Sequence, residues 1–209
     1  LYYKEKNGNI FFSSLINPLL INDKVNLNLK AANYFNNFGY NDLSETFYKG
    51  VFKVLPGELL IYRDKKLTKK KFLNYDFKTN KKLSNEFIKE KIIKIIKKQT
   101  VSDVPIALSL SGGLDSNILL GNINKPLKTY SASFIYNNNK NLDSIFAAQR
   151  ATEYKTEHNE INISDDDFMN SLELINDILE EPIGNENSVG NYFLSKNIKE
   201  KVLLTGDGG

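Results

Sequence analysis

Residues 108–116 read Leu108-Ser109-Leu110-Ser111-Gly112-Gly113-Leu114-Asp115-Ser116. They close the apolar run from Val104 to Leu110, which reads as a buried-type strand. They open a stretch with Leu114, Ile118, Leu119 and Ile123 at helical spacing. Between strand and helix, Gly112 and Gly113 let the backbone approach a ligand without a Cβ in the way. The free amides of the first helical turn, together with the helix dipole, favour a phosphate there. Ser111 and Ser116 can add hydroxyl donors. Asp115 would repel a phosphate directly, and it fits the loop if Mg²⁺ stands between them, because Mg²⁺ takes one or two carboxylates plus phosphates. The run lacks the Lys-Ser/Thr pair of a Walker A loop and does not follow G-x-G-x-x-G. The plain alternative is a glycine turn whose Asp115 only supports the helix N-terminus.

Outward from this loop, the chain after Ser84 alternates helices and strands. Ser84 caps a helix with Phe87, Ile88, Ile92, Ile95 and Ile96 on one side. Strand Thr129–Ile135 precedes a helix over about 142–154. Strand Glu160–Ile163 precedes a helix capped by Ser164, with Asp167 three residues on. A further helix covers about 188–199, and Val202–Thr205 forms a last strand. The alternation predicts an α/β domain over 84–209, with a parallel sheet covered on both faces. Residues 1–76 read differently, as short strands and turns. Asn7-Gly8 marks a hairpin between Tyr2-Tyr3 and Ile10-Phe12. Asn28 to Phe38 suits a short helix stopped by Gly39, and Val51 to Tyr62 suits a hairpin turning near Pro56-Gly57. Phe77 to Leu83 reads as a linker.

Composition excludes several functions. No apolar run approaches the roughly 20 residues of a membrane span. Leu1-Tyr2-Tyr3-Lys4 has no signal-peptide pattern, and the chain has no Cys, so a soluble protein of the reducing cytoplasm is expected. Of the 28 basic residues only Arg63 and Arg150 are arginine. That argues against nucleic-acid recognition, which favours bidentate Arg contacts. The basic run Lys65–Lys71 reads as a solvated hairpin edge. Asp165-Asp166-Asp167 reads as dipole compensation at a helix start. His158, the only histidine, reads as a packing or strand-edge residue.

S-G-G-x-D-S after a strand resembles the fingerprint of the ATP pyrophosphatases, which cut ATP between its α and β phosphates. The flanks narrow the resemblance to glutamine-dependent asparagine synthetases. Ser102-Asp103-Val104-Pro105 before the strand is similar to that family, as are Thr156-Glu157-His158-Asn159-Glu160 and Glu181-Pro182-Ile183. Val202-Leu203-Leu204-Thr205-Gly206-Asp207-Gly208-Gly209 resembles its second signature loop. Leu1-Tyr2-Tyr3, Phe11-Phe12-Ser13-Ser14 and Val54-Leu55-Pro56-Gly57-Glu58 resemble the end of its glutaminase domain. Departures are Leu15 for the usual Glu, Ala107 for Gly, and Lys155 for a Gly at a helix end that often adopts positive φ.

The resemblance implies a doubly wound sheet of the ATP pyrophosphatase type, preceded by the end of an α+β N-terminal-nucleophile glutaminase domain. It places adenine near Leu110 and Phe134, and the ribose and α-phosphate near Thr205 and Gly206. Pyrophosphate would lie in the loop of Ser111, Gly112, Gly113 and Ser116, with Mg²⁺ on Asp115 and a catalytic carboxylate at Asp207. The implied reaction activates the aspartate side chain as an acyl-adenylate and amidates it with ammonia from glutamine. A relative acting on another carboxylate, or a nucleotide-binding remnant, remains open. The family's glutaminase Cys is absent, and its second Mg²⁺ ligand would fall past Gly209, so the chain is expected to be an inactive internal piece of a longer enzyme. A homodimer of the complete enzyme is a further expectation.

Overall fold

A computed structural model describes residues 1–21, 23–41, 44–73, 83–123, 127–137 and 139–207. The expected linker lies, except for Leu83, outside the described residues. The chain divides into two compact units: residues 1–79 with 176–185, and residues 80–175 with 186–209.

In the first unit, strands β1 (Tyr2–Lys6) and β2 (Asn9–Ser13) form an antiparallel hairpin. Asn7 and Gly8 both have positive φ (53° and 70°), the geometry a two-residue turn needs to match strand twist. A four-residue helix, α1 (Asn17–Leu20), comes next with Pro18 in its first turn, where a missing N–H costs nothing. Helix α2 (Leu29–Phe38) starts at Asn28, whose side chain accepts from the Lys30 amide, and stops at left-handed Gly39. Strand β3 (Phe52–Lys53) pairs with β1 rather than with the next strand in the chain. The hairpin expected around Pro56-Gly57 is therefore displaced. It forms between β4 (Glu58–Arg63) and β5 (Lys66–Lys71), turning at Asp64-Lys65, where both residues adopt positive φ. The lysine run is this hairpin's exposed strand, and Lys69 Nζ sits 5.4 Å from the Tyr3 ring and 5.7 Å from the Phe52 ring. Ile16, Leu19 and Val51 make the small core.

Residues 176–185 complete this unit. Buried Glu180 accepts hydrogen bonds from the amides of Ile16 and Asn17, the latter at 3.0 Å. Its backbone is held at φ 56°. Lys53 Nζ stands 3.3 Å from Glu181 Oε1. A Cβ on Gly184 would lie 2.1 Å from the Gly39 carbonyl oxygen, so only glycine permits that backbone approach.

The second unit begins with α3 (Asn85–Gln99), capped by Ser84, whose hydroxyl accepts from the Phe87 amide at 3.2 Å. Then come β6 (Ile106–Ser109), α4 (Leu114–Asn122), β7 (Lys128–Tyr136), the short β8 (Asn139–Lys140), α5 (Leu142–Glu153) and β9 (Glu157–Ile163). Helix α6 (Asp165–Leu179), α7 (Asn187–Asn197) and β10 (Val202–Leu204) complete the chain. Strands β10, β6, β7 and β9 lie parallel in that order, as the alternating pattern predicted, and β8 adds an antiparallel tag to the end of β7. Alternation along β6 sends Leu108 to one face, with Leu120 of α4 and Ala147 and Ala151 of α5. Ala107 goes to the other face, with Tyr130 and Leu194 of α7. Lys155 turns the chain from α5 into β9 at φ 53°, a left-handed position held by a residue with a Cβ. The acidic start of α6 is a reciprocal cap: the Asp167 amide donates to Ser164 Oγ at 3.1 Å, and the Ser164 amide donates to Asp167 Oδ2 at 3.0 Å. Among the described residues no helix is long and apolar enough to cross a membrane.

Candidate nucleotide site

The strand order sets the site. From β6 the chain adds β7 and β9 on one side and then returns to place β10 on the other. In parallel sheets a crevice opens outside the carboxyl ends of the strands where the winding reverses, here between β6 and β10. A cavity of about 360 Å³ lies there, within the usual size of small-molecule sites. It is lined by Leu110, Ser111 and Gly113 from the β6–α4 loop, by Asp115 and Ser116 from the first turn of α4, and by Phe134 near the end of β7. Thr205, Gly206 and Asp207 line it from beyond β10. Gly208 and Gly209 lie outside the described residues.

Gly112 does not line the cavity. A Cβ there would sit 3.0 Å from both Asp143 Oδ1 and Phe146 Cβ, so this glycine lets the loop pass close to α5. Gly206 makes a tighter approach: its Cβ would stand 2.7 Å from the Ser116 amide nitrogen and 3.0 Å from Asp115 Cβ. The two signature loops thus touch backbone to backbone. Within the first loop the serine hydroxyls are engaged internally. Ser116 Oγ is 3.0 Å from Ser111 Oγ, accepts from the Ser111 amide at 3.2 Å, and lies within hydrogen-bonding distance of the Gly113 carbonyl. Ser111 Oγ also accepts from the Gly113 amide at 3.1 Å. Both serines therefore fix the loop's shape.

Residues that the sequence reading passed over supply the remaining wall. Asp143 stands in the first turn of α5, where an acidic residue reads as dipole compensation. Glu186, Asn187, Gly190 and Asn191 come from α7 and the residue before it, and no sequence spacing ties them to the glycine loop. Asn141, at the start of α5, presents a buried side-chain oxygen, Oδ1, with no protein partner. Among the described residues, four carboxylates, Asp115, Asp143, Glu186 and Asp207, line the cavity, and no Lys, Arg or His does. No ready-made cluster of three metal-ligating side chains occurs among the described residues. The donor set fits a Mg²⁺ ion that arrives with a polyphosphate, using a carboxylate such as Asp115 and the phosphate oxygens.

His158 stands behind the cavity. Its Nδ1 is 2.9 Å from Thr129 Oγ1 and its Nε2 is 3.2 Å from Ser131 Oγ. Burial lowers its pKa from the usual histidine value, against the opposing charge of Glu160.

Comparison with known proteins identifies the family. The sequence model of the asparagine synthase family matches residues 88–209. Over its whole length the chain is 29% identical to a protein provisionally named asparagine synthetase 2 (glutamine-hydrolysing) of Methanocaldococcus jannaschii. It is 27% identical, again over its whole length, to asparagine synthetase 1 (glutamine-hydrolysing) of Bacillus subtilis. It spans 43% and 34% of those two proteins. A stretch covering 37% of the chain is 34% identical to amidase chyE of Penicillium rubens, of which it spans 13%. With the family match extending over more than half of its residues, the chain belongs to the asparagine synthase family.

Proposed function

We propose that residues 84–209 bind Mg-ATP for a glutamine-dependent asparagine synthase, with a doubly wound sheet as scaffold, and that residues 1–76 are part of its glutaminase domain. The observation that carries this reading is the meeting of the Ser111–Ser116 loop and the Thr205–Asp207 loop over one cavity where the strand order reverses. Leu110, Ala132 and Phe134 give the cavity an apolar side for a purine. The Gly113 amide is engaged by Ser111 Oγ, and the amides of the first turn of α4 beyond it would face the phosphates. Bound Mg²⁺ would neutralise phosphate charge and be held by Asp115. The four lining carboxylates, with no lining cation among the described residues, would repel a bare polyanion, and Mg²⁺ would supply the charge balance.

In the complete enzyme an aspartate side-chain oxygen attacks the α-phosphorus, the bond to the bridging oxygen breaks, and pyrophosphate leaves. Ammonia then attacks the acyl carbon and AMP departs. Asp207 lines the cavity beside Gly206, and there it would orient the reacting groups by charge and hydrogen bonding. A second reading is the same adenylation chemistry on another carboxylate, since the glycine loops that line the cavity would hold the nucleotide and do not name the acceptor. Exchange of labelled pyrophosphate into ATP by the complete enzyme separates the two. Exchange that depends on aspartate supports asparagine synthesis, and exchange that ignores aspartate but responds to another carboxylic acid overturns it.

A further inference from the structure

Asn117, in the first turn of α4, points its amide nitrogen at two backbone carbonyls of the glycine loop. Nδ2 lies 3.2 Å from the Ser111 carbonyl oxygen and 2.6 Å from that of Gly113. The other end of the same amide, Oδ1, is buried without a protein partner. Turning the amide over would set Oδ1 against two carbonyl oxygens, so the donating orientation is the only tenable one. A buried acceptor left unpaired is destabilising, and the two N–H groups must offset it. The serine hydroxyls show how. Ser116 Oγ lies 3.2 Å from the same Ser111 carbonyl oxygen and 3.1 Å from the same Gly113 oxygen, and Ser111 Oγ is 3.0 Å away from it. A hydroxyl carries one hydrogen. With both carbonyls supplied by Asn117, the serine pair holds two hydrogens and spends one between its own oxygens. The second is left over, and both serines line the cavity. Without Asn117, Ser116 would give its hydrogen to a carbonyl and Ser111 would give its own to Ser116. None would remain for a ligand.

We propose that Asn117 is a positioning residue: by saturating the Ser111 and Gly113 carbonyls it releases one serine hydroxyl hydrogen for the anionic end of a bound nucleotide. The inference rests on the nucleotide reading of the cavity, and it makes Asn117 act through Ser116, the hydroxyl within reach of both carbonyls. A hydrogen bond from that hydroxyl pair to a charged oxygen is worth about tenfold in affinity.

A double-mutant cycle tests this. Calorimetry measures binding of Mg-pyrophosphate and of Mg-ATP to the full chain as wild type, Asn117→Leu, Ser116→Ala and the double variant, and melting curves report folding. Leucine has nearly the shape of asparagine and no N–H to give. Asn117→Leu should bind both ligands about tenfold more weakly. Its melting should change little, because removing the unpaired oxygen offsets the lost bonds. In the Ser116→Ala background the same change should cost less than about twofold, since no Ser116 hydrogen is left to divert and the Ser111 hydrogen stays available. Unchanged affinity in Asn117→Leu, or an equal loss in both backgrounds, would overturn the proposal while leaving the nucleotide site intact. Should Asn117→Leu not fold, Asn117→Thr takes its place in the cycle. A helical threonine hydroxyl reaches the carbonyl four residues back, here that of Gly113, so a loss of about threefold confined to the Ser116 background is expected. Equal affinities of Asn117→Thr and wild type, or an equal loss in both backgrounds, would again overturn it. A wild-type chain that binds neither ligand overturns the site reading and this inference with it.

Discussion

Replacing Gly206 with alanine adds one methyl group at the point where the two signature loops meet. Its Cβ would lie 2.7 Å from the Ser116 amide nitrogen, 3.0 Å from Asp115 Cβ and 3.1 Å from the Asp115 carbonyl carbon. The first distance falls about 0.7 Å short of ordinary van der Waals contact, and its neighbour is backbone in the first turn of α4, which has no rotamer to change. The loops must separate by close to that amount. Overpacking of this kind costs about 1–3 kcal/mol, and a misplacement near 1 Å between reacting groups costs on the order of a hundredfold in rate. Gly206→Ala should therefore lower the melting temperature by a few degrees and reduce ATP–pyrophosphate exchange by the complete enzyme by about a hundredfold. Gly190→Ala provides a stability comparison, since its Cβ would meet Ala132 at an ordinary 3.5 Å and helix propensity favours alanine. Its melting temperature should hold or rise. A Gly206→Ala enzyme with normal exchange and unchanged melting would refute the claim that this contact sets the site.

Other substitutions test single roles. Asp115→Ala in the complete enzyme should abolish exchange while the fold survives, and Asp115→Asn, which keeps a capping group but loses the charge, should behave alike; lowered melting with near-normal exchange would mean a helix-capping role instead. Asp207→Ala should leave Mg-ATP affinity within a few-fold but slow adenylate formation by on the order of a hundredfold, measured by single-turnover quench; unaltered adenylation would remove Asp207 from the reaction. Glu180→Ala strips two amides, those of Ile16 and Asn17, of a buried acceptor and should destabilise the first unit by about 1–3 kcal/mol, read by denaturant unfolding; an unchanged midpoint would show that water replaces the carboxylate.

The glycine loop was legible because its chemistry is local: strand, two glycines, helix start and an acid within a few residues. The parallel sheet was legible through apolar β6 and β7 alternating with helical periods. The displaced hairpin was hidden because Asp64-Lys65 is a weak turn signal, whereas Pro56-Gly57 is a strong one that does turn, with the Glu58 amide donating to the Leu55 carbonyl at 3.0 Å, but joins strands that pair with other partners. Positive φ at Lys155 reflects a tertiary demand that overrides residue preference. Asp143, Glu186 and Asn191 reach the cavity only because α5 and α7 pack beside the carboxyl end of β7. Such convergence arises from packing and has no spacing to read.

If the loops around Gly113 and Gly206 form a Mg-ATP site, nucleotide binding must depend on both the cavity and the metal. Calorimetric titration of the full chain with ATP, in excess Mg²⁺ and again with the metal chelated, measures that dependence. Saturable binding at a single site is expected with Mg²⁺, weakened at least about tenfold without it, because carboxylates then face phosphate directly. Absence of binding at millimolar ATP, or binding indifferent to Mg²⁺, would contradict the assignment.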